Sequence, residues 1–317
     1  MKSTVSLQKC SSYDQKAVDY SVSRLINNLG GINKFIKRNS KVLLKPNLVK
    51  AAKPEDSITT HPAVIEAIAK ILLKQKCEIY VGDDPFSADM IKALETSGIH
   101  DVCKKYGLKI AKFRERTKII YKNGMVVKDF NITNYFDFVD SIINVPKLKT
   151  HCQLYYTGAI KNLYSMMPGP KRGYYHLKYS NMEKFANMLI DLYCLLKRKI
   201  TLNIIDGVYG MEGNGPTSGV PKFAGVLGAS QDAAALDYVM CKLIGLNVGK
   251  SPLIEYSRIR KEIMLDPDKI LIRGHSFDSI KVAPFREADE HSLYMMPKFR
   301  SLFKEYIEKR KDELIYQ

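Results

Sequence analysis

Residues 146 to 164 read PKLKTHCQLYYTGAIKNLY and follow directly on the apolar run SIINV. Lys147, Lys149, Thr150 and His151 therefore crowd the end of a buried segment, with Lys161 and Asn162 shortly after. Lysines placed this way offer fixed positive charge to a carboxylate or phosphate. An imidazole among them has its pKa lowered, because the protonated form is repelled. A neutral histidine near pH 7 is suited to take a proton. A lysine held near other cations likewise loses its proton more easily and acts as base or nucleophile. If TGAIK is helical, Thr157 and Lys161 share a face one turn apart. The expected roles are proton transfer by His151 and Lys161, and substrate binding by Lys147, Lys149, Thr150 and Asn162.

Such a constellation needs elements to hold it, and the chain reads as repeated strand–loop–helix units. Strands are expected at 41–49, 77–86, 138–146 and in ITLNIIDGVYG and KFAGVLGASQD. The continuous apolar character of SIINV suits a strand covered on both faces. THPAVIEAIAKILLKQ has apolar residues at helical spacing, with Thr60 available as a cap. SADMIKALETSGI and AAALDYVMCKLIGL read as helices, as does SNMEKFANMLIDLYCLLKRK, where Ser180 and Glu183 make a capping-box pattern. Asn123-Gly124 between two apolar runs predicts a hairpin. The fold class is α/β: a mostly parallel sheet flanked by helices, with an additional small β-hairpin region. One domain is expected over 1–285, with its core at 40–250, and a charged helical tail at 286–317. The first 40 residues are expected to wrap or extend the core.

In such sheets ligands bind outside the carboxyl ends of the strands. Each expected strand ends in a polar cluster: Lys45-Pro46-Asn47, then Asp83-Asp84, then the KLKTH run. Asp206-Gly207 and Glu212-Gly213-Asn214-Gly215 follow the fourth, and Ser230, Gln231 and Asp232 the fifth. If all strands are parallel, these clusters share one rim. Lys45 and Asn47 then join the substrate-binding residues. Gly213 and Gly215 let backbone approach a ligand. Asp83, Asp84, Asp206 and Glu212 are candidate ligands of a divalent cation, since hard oxygens suit such ions. The blander readings stand beside these: Asp83 and Asp84 as a turn, Asp232 as a helix cap, His61 as part of a helix start, MEGNGPTSG as a hairpin tip.

Composition narrows the classes. The formal net charge of +17, from 50 basic and 33 acidic residues, favours anionic partners. The lysines are spread along the chain without a dense tract, which disfavours nucleic acid. Six cysteines fall in no CxxC pattern, so no iron–sulfur cluster is expected from this chain. No long uncharged apolar stretch or secretory leader is present, and KDEL at 311–314 is followed by IYQ. A cytoplasmic protein without a membrane partner is expected.

Taken in order, KPN, GDDP, PKLKTH, TGAIKNLYSMMPG, IDGVYGMEGNGPTSG and GASQDAAALD resemble a family catalogued as domain of unknown function 362. The resemblance spans roughly 40 to 250. Many members of that family join this core to a ferredoxin-like module, which this sequence lacks. HCQLYYTGAIKNLYSMMPG is also similar to lactate racemase-like proteins, which use a nickel-pincer nucleotide. That similarity implies an acid–base role for His151 and a cofactor-attaching or catalytic role for Lys161. It implies metal binding for His176, and Asp83 or Asp84 in place of a second acid–base histidine.

The function expected from all this is an enzyme acting on a small anionic metabolite by lysine–histidine acid–base chemistry, of isomerase or epimerase type. A divalent metal or nickel-containing cofactor is the cofactor expectation. The alternatives are a redox partner or cofactor carrier working with a separate ferredoxin, and an RNA-binding protein.

Overall fold

The computed structural model of the chain describes residues 2–289, apart from residues 87, 170 and 180. The strands in chain order are β1 (Ser3–Lys9), β2 (Lys41–Pro46), β3 (Glu78–Val81), β4 (Lys109–Ile110), β5 (Arg116–Ile120) and β6 (Asp129–Thr133). They continue with β7 (Ser141–Val145), β8 (Lys147–His151), β9 (Tyr155–Thr157), β10 (Ile200–Glu212), β11 (Val220–Ser230) and β12 (Ile270–Gly274). The main sheet runs β12-β1-β11-β10-β7-β2-β3-β4, with β8 and β9 attached beside β10; β5 and β6 form a separate antiparallel pair.

Strand alternation explains the two cores. Val42, Leu44, Ile143, Val145, Leu202 and Ile204 point to one face, under helices Gln15–Asn28 and Pro62–Lys74. Leu43, Ile142 and Ile205 point to the other, under helices Met182–Leu196 and Ala233–Leu243. Because both faces are covered, Val42–Leu44 of β2 and Ile142–Ile143 of β7 are apolar on both sides, as parallel strands in this setting are.

Most of the expected elements are present, with differences at their ends. His61, not Thr60, caps the second helix: its Nδ1 accepts from Ala63 N–H at 3.2 Å. Thr60 instead donates its hydroxyl to the carbonyl of Val145 at 2.6 Å. Asn181 caps Met182–Leu196 through Glu183 N–H; Ser180 lies outside the described residues. The hairpin at Asn123-Gly124 is wider than a two-residue turn, since its last paired residues are Ile120 and Asp129. Buried Asp191 holds it, accepting from the N–H groups of Met125, Val126 and Val127 and from Arg260.

The first 40 residues extend the core: β1 lies inside the sheet, between β11 and β12. The expectation of one rim shared by all five clusters is overturned at β11. β11 runs antiparallel to β10, because the segment 213–219 folds the chain straight back. Ser230, Gln231 and Asp232 therefore lie at the opposite end of the sheet from the other clusters. There Asn203 donates to the carbonyls of Ser230 and Gln231, and Asp232 caps the helix that follows. Residues 290–317 of the expected tail lie outside the described residues.

Candidate functional site

The strand order decides where a site can form. From β2 the chain moves outward through β3 to β4, then returns to β7 on the other side of β2. The carboxyl ends of β2 and β7 thus flank a topological switch point, the crevice where open α/β sheets bind ligands. Lys45 pairs in register with Asn144, and Pro46 with Val145, at its floor.

The run that follows β7 is a strand rather than a loop. β8 pairs with the extended half of β10, Lys147 opposite Asp206 and Lys149 opposite Met211. Strand alternation puts Lys147, Lys149 and His151 on one face and Leu148 and Thr150 on the other. Leu148 fills the core, while on the other face Lys147 reaches Tyr13 and Asp206 and Lys149 reaches Asn47 and Ile58. Alternation therefore accounts for the density of titratable groups in KLKTH. It also corrects the helical pairing of Thr157 with Lys161, because Thr157 ends β9 and the short helix Ala159–Asn162 begins after Gly158. A Cβ on Gly158 would sit 2.0 Å from Asp237 Oδ1. That carboxylate, pushed up to about 7 by burial, accepts from Ala159 and Ile160 N–H at the start of the helix carrying Lys161.

Two of the lysines are fully buried and neutralised. Lys45 Nζ donates to Asp83 at 2.8 Å, and Asp83 also accepts from Leu48 N–H and the Ser165 hydroxyl. Burial pulls Lys45 down while its lysine partner holds Asp83 below the ordinary carboxylate range. Lys147 Nζ donates to Asp206 at 3.0 Å and to the Tyr13 hydroxyl at 2.6 Å. Tyr13 donates in turn to Asp206 at 2.7 Å and stacks on His61, ring centroids 3.5 Å apart. His61 N–H completes the shell of Asp206.

Lys149 and Lys161 are different, since neither has a carboxylate partner among the described residues. Lys149 Nζ, 1% exposed with its residue, donates only to neutral oxygens, Asn47 Oδ1 at 2.6 Å and the Ile58 carbonyl at 2.8 Å. Burial and the charges of Lys147 and Lys161 bring it well below the usual lysine range. Lys161 is partly exposed, and its Nζ lies 4.6 Å from the Tyr164 ring centre and 6.0 Å from that of Phe185. Burial, Arg172 and Lys45 bring it down to about 7.

The same aromatic rings hold His176, whose ring centre is 4.4 Å from Phe185 and 5.4 Å from Tyr164. Its Nδ1 lies 2.9 Å from Gln153 Oε1. Burial and the neighbouring cations lower both His176 and His151, so both rings are neutral near pH 7. His151 Nδ1 accepts from the N–H groups of Gln153 and Leu154 at 3.0 and 3.2 Å. Its proton therefore sits on Nε2, which is left as a hydrogen-bond donor. As a base it would have to forfeit both backbone partners; His176, with Nδ1–H on Gln153, has an Nε2 lone pair without a partner among the described residues.

Asn162 extends the floor, donating to Asn144 Oδ1 at 2.8 Å, while its own buried Oδ1 has no partner among the described residues. Thr150, on the opposite face of β8, donates to the Gly213 carbonyl at 2.7 Å. Gly213 and Gly215 serve the hairpin tip rather than opening onto the crevice. A Cβ on Gly215 would sit 2.1 Å from the Thr150 carbonyl oxygen, and Gly213 N–H donates to the Arg286 carbonyl. Gly215→Ala is expected to cost about 1–3 kcal/mol by forcing the tip away from β8; a lower urea midpoint at unchanged slope would show it.

The candidate metal ligands do not converge. Asp83 pairs with Lys45, Asp84 with Arg172, Asp206 with Lys147 and Glu212 with Lys222, while His176 rests on Gln153. Among the described residues no three His, Cys, Asp or Glu side chains group as a ligand set. These residues do not fit a nickel-pincer or divalent-metal centre. All six cysteines are free, and Cys152 alone among them is not fully buried.

Tyr13, Ser165, Arg172 and Gln153 belong to the site without having been singled out in the sequence. Arg172 and Ser165 lie in the stretch that follows Lys161, so proximity to the motif was a usable signal; Tyr13 carried none.

Fold and site together define a doubly wound α/β protein with a cluster of lysines beside the carboxyl ends of its central strands. The chain belongs to the DUF362 family, "Domain of unknown function (DUF362)", whose profile matches residues 42–242. It is also 30% identical over 259 residues to the Thylakoid-associated protein sll1697 of Synechocystis sp. (strain ATCC 27184 / PCC 6803 / Kazusa), covering 80% of this chain and 78% of that protein. No helix among the described residues is long and apolar enough to cross a membrane.

Proposed function

We propose that the protein is a cytoplasmic enzyme that binds a small carboxylate or phosphate metabolite at the switch point and moves a proton on it. The supporting observation is a charge imbalance. Lys45, Lys147 and Arg172 are matched by Asp83, Asp206 and Asp84, whereas Lys149 and Lys161 face the crevice without a carboxylate. A bound anion would supply the missing charge, and low local dielectric would strengthen the attraction. In this reading Lys161 and His176 exchange protons with the substrate, and His151 Nε2–H donates to an oxygen that gains charge. The reaction class is isomerisation or epimerisation beside a carboxylate.

The test is thermal unfolding at pH 7 and low ionic strength with inorganic phosphate, oxalate or chloride. A ligand that binds only the folded chain raises its stability with concentration. Saturable stabilisation by phosphate or oxalate, absent with chloride and absent in Lys149→Met/Lys161→Met, is expected. A melting temperature indifferent to all three anions removes the reading.

A further inference from the structure

We propose that Lys161 is a carbonyl-attacking amine and that the substrate class of the crevice is a 2-oxo carboxylate, held during turnover as an imine. This inference rests on the anion-binding reading above and goes further by naming the bond that forms.

The geometry separates Lys161 from the other lysines of the crevice. Lys45 and Lys147 are locked on carboxylates, and Lys149 on neutral oxygens. Lys161 Nζ donates no hydrogen bond to a described acceptor and lies against the Tyr164 ring. It is also the lysine of this group that retains exposure. A lysine amine becomes nucleophilic when burial and nearby cations disfavour its ammonium form. Lys161 is half-buried, with the field of Arg172, Lys45 and Lys149 around it and the Tyr164 and Phe185 rings excluding water on one side, although the ring faces themselves attract an ammonium. That field also selects the substrate, since an amine surrounded by cations meets carbonyl compounds that carry negative charge.

The step balances without an added oxidant or reductant. The neutral Nζ adds to the carbonyl carbon, forming the C–N bond, and the π pair moves to oxygen under the His151 Nε2–H donor. The nitrogen gives up its two protons as the oxygen takes two, relayed by His176 Nε2 and solvent, and the oxygen leaves as water, giving the neutral imine. Protonation of the imine nitrogen from solvent makes it an electron sink. A proton on the adjacent carbon can then pass to His176 Nε2 and return, which is the chemistry of an isomerase or epimerase. His176 is placed for this by Gln153 and by the aromatic pair it shares with Lys161.

Full-length protein is incubated at pH 7 with pyruvate and sodium cyanoborohydride, then analysed by intact mass and peptide mapping. Pyruvate binding is measured separately by thermal unfolding, and Lys161→Arg is carried alongside. The expected result is one reduced pyruvate adduct, on Lys161, absent in Lys161→Arg and suppressed by excess oxalate. Saturable stabilisation by pyruvate with no adduct on Lys161, or with adducts scattered over surface lysines, overturns the imine and leaves the anion site standing. No adduct and no stabilisation by pyruvate, phosphate or oxalate overturns both.

Discussion

Asp206→Ala is expected to lower the unfolding free energy by about 3–5 kcal/mol, the cost of leaving a buried charge without its partner. Asp206 is fully buried and accepts from Lys147, Tyr13 and the backbone N–H of His61. Removing its carboxylate strands the Lys147 ammonium, which cannot reach water because Lys147 is itself buried. The Tyr13 hydroxyl loses its acceptor in the same change, and the start of helix Pro62–Lys74 loses an anchor. The double variant Asp206→Ala/Lys147→Met separates the two explanations of such a loss. Replacing a buried ion pair by apolar groups is often close to neutral, because the desolvation cost of both ions disappears. The double variant is therefore expected to recover more than half of the stability lost by the single one, read from urea midpoints. Equal losses in both would mean that Asp206 acts through Tyr13 and His61 and that its pairing with Lys147 contributes little.

That network illustrates what the sequence could and could not reveal. Lys147 and Asp206 were recognisable because each follows an apolar strand, and strand ends in α/β sheets converge on one rim. Tyr13 was not, because a tyrosine in a polar stretch before the first helix has no periodicity or spacing that ties it to residue 206. The rim itself was legible for β2, β3, β7 and β10 but failed for β11. Its apolar run reads the same in either direction, and only the hairpin geometry of 213–219 reverses it. The glycines of that tip were legible as places of close approach; the backbone approached was that of Thr150 rather than a ligand's. His151 was found by its lysine neighbours, yet its tautomer depends on the backbone turn at Gln153 and Leu154, which spacing does not encode. The candidate metal residues shared a chemistry without sharing a position, since each acidic group is paired with its own basic partner.

The second large effect is expected from Lys161→Met, and it carries a pH signature. The Lys161 amine titrates near 7 in the folded chain against an ordinary value of 10.5. Between those limits the unfolded chain binds a proton that the folded chain does not, so the unfolding free energy of the wild type rises with pH across this window. Put the other way, holding Lys161 in place costs stability that grows as the pH falls from about 10 and is complete below about 7. Methionine carries no such cost and fits the contact with Tyr164 and Phe185. Lys161→Met is therefore expected to be more stable than wild type by about 1–3 kcal/mol at pH 6–7, allowing for solvent screening of a partly exposed group. The gap should close as the pH approaches 10. Lys149 and His151 are shifted in the same direction and for the same main cause, burial, so the variant keeps a pH slope of its own. The difference between the two proteins isolates Lys161. Phosphate at pH 6–7 should narrow that difference, since an anion in the crevice compensates the ammonium of the wild type and has less to compensate in the variant. A gap that stays constant with pH, or a variant less stable than wild type at every pH, would mean that the Lys161 charge is already accommodated by the fold. Lys161 would then be an ordinary ammonium at neutral pH, without the free amine that proton transfer or carbonyl attack requires.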